Sequence, residues 1–237
     1  EQRIFRRLSI FVGGCSLEAV EAVCVDAGDQ ETDVLNMVES LMDKSLVQQV
    51  EQEGEEPRLA LLETVREYGL ECLHENGETE LMQRSHAEYY LALAERVEPH
   101  LRGGGEQLKW LTTLNQEQEN LWAALRWFVE SEETELALRL SGALWWYWFM
   151  RGYYKDALHW LEAALALPMT GKQTAARAQV LNATGVMNVS LGDPKKAQAF
   201  LEESIALYKE LGNTRGYAHA LQFLSLIHIS EPPRQAE

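Results

Sequence analysis

Gly192-Asp193, Ala197 and Leu201-Glu202-Glu203-Ser204-Ile205-Ala206-Leu207 reproduce, 40 positions later, the pattern Gly152-Tyr153, Ala157 and Leu161-Glu162-Ala163-Ala164-Leu165-Ala166-Leu167. A period of this size marks a supersecondary unit that buries its apolar face only by stacking on the next copy. In the second copy Gly185, Gly192, Ala197, Leu201, Ser204 and Leu207 are spaced as a helix, a tight turn and a second helix. Gly192 supplies the positive φ that ends the first helix. Gly185, Ala197 and Ser204 are small enough to let paired helices approach, and Leu201 and Leu207 fill the seam. Residues 218–221 echo 178–181, so a third unit begins there.

This spacing resembles a tetratricopeptide repeat, although the period of 40 exceeds that family's roughly 34. In the first copy Trp145 stands where the second has Gly185. Such a scaffold presents a groove to a ligand or partner, and Trp145, Trp148, Tyr153, Asn182 and Asn188 are the candidate groove contacts. Four of the seven tryptophans cluster at Trp145, Trp146, Trp148 and Trp160, and at helical spacing aromatics are more often core than groove.

The chain has 237 residues, 46% of them hydrophobic, and a formal charge of −16. It can supply a proper core, and its acidic surface repels phosphate backbones and anionic membranes. Cys15, Cys24 and Cys72 lie in no CxxC spacing, which points to neither a disulfide framework nor a zinc site and fits the cytoplasm. No signal peptide opens the chain, and the apolar stretch at 140–150 is too short to span a bilayer.

Residues 1–78 read as a winged-helix-like domain. Helices are expected at 3–11, at 17–25 behind an N-cap Ser16, and at 33–42 with Leu35, Val38, Leu41 and Met42 inward. Two short strands at 45–50 and 58–62 flank the acidic loop 51–57, and a further helix at 63–76 turns Val65, Tyr68, Gly69 and Cys72 inward. The segment 1–78 carries 18 Asp or Glu against six Lys or Arg, a net of −12. A wing that touches phosphate needs Lys or Arg, and this one holds four glutamates, so no direct nucleic-acid contact is expected.

Residues 79–131 read as linker helices. Ser85 is an N-cap candidate for 87–97, Gly103-Gly104-Gly105 is a break, and Asn115 with Gln118 resembles a capping box for 119–130. No catalytic constellation is present. Gly171-Lys172-Gln173-Thr174 lacks the first glycine and the hydroxyl of a phosphate loop, no HExxH or GxSxG occurs, and most of the carboxylates fall on solvated helix faces. The chain is therefore read as a non-enzyme with no metal and no cofactor of its own.

Several stretches together, Arg7-Leu8-Ser9-Ile10-Phe11-Val12-Gly13-Gly14-Cys15-Ser16-Leu17-Glu18-Ala19, Leu41-Met42-Asp43-Lys44-Ser45-Leu46-Val47, Leu61-Leu62-Glu63-Thr64-Val65-Arg66-Glu67-Tyr68-Gly69 and Asn120-Leu121-Trp122-Ala123-Ala124-Leu125, resemble bacterial signal-transduction ATPases of the STAND or NB-ARC type, the LuxR-like and AfsR-like transcriptional regulators. The resemblance covers roughly residues 3–223. It implies an upstream nucleotide-binding domain that takes ATP or ADP and on which the winged helix docks, and repeats that respond to a protein or small-molecule effector. Relatives often place a Met-His-Asp triplet, whose His approaches ADP, before the last winged-helix helix; here Leu61-Leu62-Glu63 stands there. Residues 224–234 resemble translated sequencing-adapter read-through, so 224–237 is expected to be a non-native tail.

The expected architecture is mostly α: a winged-helix-like domain of helices and one β-hairpin (1–78), linker helices (79–131), then an α-solenoid of tetratricopeptide-like helix pairs (132–223). The expected role is regulatory. The rivals are a free-standing interaction scaffold and a DNA-binding winged helix.

Overall fold

Ser16 and Asp33 each accept a hydrogen bond from the backbone three residues on, Ala19 N at 3.2 Å and Asn36 N at 3.1 Å, and so fix the starts of two helices. The computed structural model describes residues 1–26, 33–50, 57–169, 171 and 173–230. The acidic wing loop at 51–56, Lys172 of the 171–174 turn and the last seven residues of the tail lie outside these. The described chain is mostly helical with one small sheet, and it divides into two compact units, residues 1–93 with 112–127, and residues 94–111 with 128–237.

In the first unit α1 (Gln2–Leu8), α2 (Leu17–Cys24) and α3 (Val34–Asp43) precede the antiparallel pair β1 (Gln48–Val50) and β2 (Arg58–Ala60), registered Gln48 to Ala60 and Val50 to Arg58. Cys15 exchanges two 2.8 Å backbone bonds with Leu59, which adds a third extended segment to the hairpin. Gly14, at φ +92°, permits that approach, because a Cβ there would lie 2.8 Å from the Leu59 carbonyl oxygen. Ile4, Leu8, Phe11, Val20, Val23, Val38, Leu41 and Val47 close the core. α4 (Glu63–Glu75) crosses the end of α1 where Gly69 faces Ser9; a Cβ on Gly69 would lie 2.8 Å from that of Ser9. α5 (Thr79–Val97), α6 (Gln107–Gln116) and α7 (Gln118–Glu130) follow.

Four side-chain expectations need correction. Asp33 caps α3, so Val34, Val38 and Leu41 share its buried face and Leu35 is left 51% exposed. On α4 the inward stripe is Gly69 and Leu73, which leaves Tyr68 one position round the helix and 60% exposed. Ser85 caps nothing, because α5 is continuous from Thr79 and buries Met82, His86 and Ala87 on either side of it. Asn115 lies inside α6, and Glu117 occupies the position that opens α7.

In the second unit α8 (Thr134–Arg151) and α9 (Tyr154–Ala166) form one helix pair and α10 (Ala175–Ser190) and α11 (Pro194–Glu210) the next, with α12 (Thr214–Ser230) after them. α10 is the central element, packed against all four others. Gly152 and Gly192 take φ of +76° and +82° at the equivalent turns within the two pairs, and Gly212 takes +66° at the turn from α11 to α12, each the left-handed residue that follows or ends a helix. The seam between α10 and α11 is as tight as the pattern requires: a Cβ on Gly185 would meet Leu201 Cγ at 2.6 Å, and buried Ser204 donates to the Ala178 carbonyl at 2.7 Å.

Candidate functional site

Two surfaces compete for the role of functional site, the winged helix and the repeat helices, and their cations separate them. Every Lys or Arg between residues 1 and 78 is engaged by a carboxylate. Arg3 pairs with Asp26 at 3.3 Å, Arg6 with Glu78 at 2.5 Å, buried Arg7 with both Asp26 and Glu78 at 2.8 Å, and Arg66 with Glu63 at 2.8 Å. Lys44, which follows α3, pairs with Glu1. Arg58, the base on the hairpin, is buried and bonded to Glu117 through both arms, with a further bond to the Gly14 carbonyl at 2.9 Å.

Arg58 belongs to a closed network. Glu117 also accepts from Tyr90 Oη at 2.8 Å and Asn120 Nδ2 at 2.9 Å, and Asn120 Oδ1 accepts from Val12 N at 2.8 Å and faces His86 Nε2 at 3.1 Å. Burial pushes His86 down to about 4, against the pull of its Asn120 and Glu117 neighbours. It pushes the Cys24 thiol up to about 12, so that cysteine is inert packing. These groups fasten the hairpin to α7 and leave no free cation on the described hairpin strands for a phosphate.

The second unit holds a cavity of about 330 Å³ between the 3-10 turn Glu98–His100 and helices α8, α10, α11 and α12. Arg102 and Arg215 both line it, and neither forms an ion pair among the described residues. The Arg102 guanidinium lies over the faces of Trp145 and Trp146, 5.5 and 5.3 Å from the ring centres. Burial lowers its pKa, an effect opposed by Glu98 and increased by Arg215, so the two cations feel each other. Glu98, the one acidic group on the wall, accepts from Gln179 Nε2 at 2.7 Å, and burial raises its pKa. Gln179 is held in turn by the Gly142 carbonyl at 2.7 Å. Burial and the two arginines depress His219 to about 4, so its neutral ring accepts at Nδ1 from Asn182 Nδ2, 3.3 Å away. That bond leaves the buried Asn182 Oδ1 without a hydrogen-bond partner, as is Trp145 Nε1. In a chain of net charge −16 this wall is locally cationic.

Of the five sequence-derived groove residues, Trp145 and Asn182 line the cavity, 1% and 2% exposed. Trp148 and Asn188 are buried outside it, Asn188 donating to the Thr184 carbonyl at 2.8 Å. Tyr153 is half-buried beside Tyr147, 6.1 Å between rings. Sequence reasoning missed Glu98, Arg102, Gln179, Arg215 and His219. A signal existed: Gln179 and His219 stand 40 positions apart, on the same face of successive repeats. Among the described residues no helix is long and apolar enough to cross a membrane.

Comparison with known proteins bears on both units. Residues 1–74 match the family of winged helix-turn-helix domains, in keeping with the order of helices and hairpin seen there. Over 228 residues, 93% of the chain, the sequence is 33% identical to a protein of Mycobacterium bovis and to its counterparts in two strains of Mycobacterium tuberculosis, all named as candidate HTH-type transcriptional regulators. The chain spans about a quarter of the length of these relatives, 25%. No solved structure matches it significantly. The amino-terminal unit of this chain is thus built on a winged helix domain.

Proposed function

We propose that this chain is the regulatory and protein-interaction segment of a transcriptional regulator of the signal-transduction ATPase type, without catalytic activity of its own. In this reading the winged helix docks on a nucleotide-binding domain of the same polypeptide, which takes ATP or ADP, and the helical repeats, of tetratricopeptide type, respond to an effector. The observation that carries the reading is the opposite use of cations in the two units. All six Lys and Arg side chains of the winged helix are paired with carboxylates, five within residues 1–78 and Arg58 with Glu117 beside α7, whereas the two arginines of the repeat cavity form no ion pair among the described residues. The similarity to regulators about four times as long supports a larger parent.

Sequencing the gene on both sides of this segment, without adapters, tests the reading. A GxxxxGK[ST] phosphate loop upstream in the same frame is the expected result. A start codon directly before Glu1 with no nucleotide-binding domain overturns it and leaves a free-standing scaffold. The winged helix match favours one second reading, contact with DNA, and duplex titration separates the two.

A further inference from the structure

We infer that the cavity walled by Arg102, Arg215, Trp145, Asn182 and His219 is a binding site for a small organic anion that also carries a hydroxyl or amino hydrogen-bond donor. The inference deepens the effector-sensing reading and rests on it only for its biological meaning. Two guanidiniums that repel one another across a partly desolvated space are relieved by one anion between them. The stacking of Arg102 on two indole rings holds that cation in place before any ligand arrives, so little side-chain freedom remains to be lost on binding.

The requirement for a donor comes from Asn182. Its side chain is 2% exposed, its amide nitrogen is committed to His219 and its Oδ1 has no hydrogen-bond partner. A buried carbonyl in that condition is satisfied by an N–H or O–H of the occupant. Glu98 supplies a second acceptor on the same wall. The cavity volume of about 330 Å³ suits a small molecule. A nucleic-acid backbone is the wrong partner for a chain of charge −16.

Citrate, which bears a hydroxyl, and tricarballylate, the same tricarboxylate without it, are the probes. Each is titrated into the full 237-residue chain and followed by calorimetry and by tryptophan fluorescence, which Trp145 reports. Saturable binding is expected, tighter for citrate and weakened roughly tenfold by Arg215→Gln and by Arg102→Gln. Arg215 is exposed, so its substitution leaves the helical circular dichroism unchanged and the loss is read on a folded protein. Asn182→Ala should erase the preference for citrate.

Absence of saturation with both probes, or equal affinity in Arg215→Gln, overturns the site. Equal affinity for the two probes in the unsubstituted chain overturns the donor requirement. A failure here leaves the flanking-gene test of the regulatory reading untouched, and anion binding without an upstream ATPase domain would assign the site to a free-standing scaffold.

Discussion

Gly185 and Gly142 both lie within buried helices, yet their Cβ positions meet different neighbours. At Gly185 an added methyl would meet Leu201 Cγ at 2.6 Å and the Ala197 carbonyl at 3.2 Å, atoms anchored in the facing helix. At Gly142 the nearest atom is Gln179 Cδ at 3.4 Å, ordinary van der Waals contact. Gly185→Ala should therefore destabilise the fold by about 1–3 kcal/mol through overpacking. Gly142→Ala should change stability by less than about 1 kcal/mol, since the gain in helix propensity offsets a mild contact. Urea denaturation of both variants checks the contrast. His86 makes a second residue-scale prediction. Its folded-state pKa of about 4 lies below the ordinary value of 6.5, so above pH 6.5 both folded and unfolded chains carry it neutral. As pH falls through 6.5 the unfolded chain takes up a proton that the folded chain refuses, and stability drops until about pH 4, by about 3 kcal/mol in all. Stability measured at intervals across that window, with NMR titration of the His86 ring, tests the slope and its source; a ring titrating near 6.5 would contradict it.

Helix ends show where the sequence could be read and where it could not. Ser16 and Thr174 accept backbone bonds at 3.2 and 3.3 Å and open α2 and α10, whereas Ser85 sits in the middle of α5. Ser16→Ala and Thr174→Ala should each cost about 1 kcal/mol, and Ser85→Ala should change stability by no more than about 0.5 kcal/mol. A thermal-denaturation series distinguishes them. The Ser16 cap and the turn glycine Gly192 were legible because capping and positive φ are local demands on single residues. Ser85 misled because a serine before an apolar stripe looks the same whether the helix begins there or passes through. Leu35 and Tyr68 misled for a related reason. One residue of rotation, set by the cap at Asp33 or by the Gly69–Ser9 contact, decides which of two adjacent apolar side chains faces inward. The network of Arg58, Tyr90, Glu117 and Asn120 was illegible because its members lie up to 62 positions apart, and only Asn120 falls in a stretch singled out from the sequence, with nothing there to name its partners. The repeat cavity was half legible: Trp145 and Asn182 lie on repeat helices whose period is visible, but Arg102 comes from a loop outside the repeat.

At the scale of the whole molecule, charge is the organising quantity. The net of −16 is unevenly used. In the winged helix acids outnumber bases and every base is paired, Arg7 with Asp26 and Glu78 and Arg58 with Glu117 beside α7, both in buried geometry where removing one partner leaves an uncompensated charge. In the repeat unit the excess of acid stops at the cavity wall, where only Glu98 faces two arginines. A winged helix that meets DNA needs cations free to take the place of condensed counterions, and such binding weakens steeply with salt. This one has its cations paired with carboxylates, which is the ground for the proposed docking on protein. The most direct test is fluorescence anisotropy of a labelled duplex of about 25 base pairs, titrated with the chain at about 50 mM salt, where even non-specific binders are at their tightest. The account predicts no binding at micromolar protein. Saturable binding that weakens as salt is raised would contradict it and return the winged helix to the role of DNA reader.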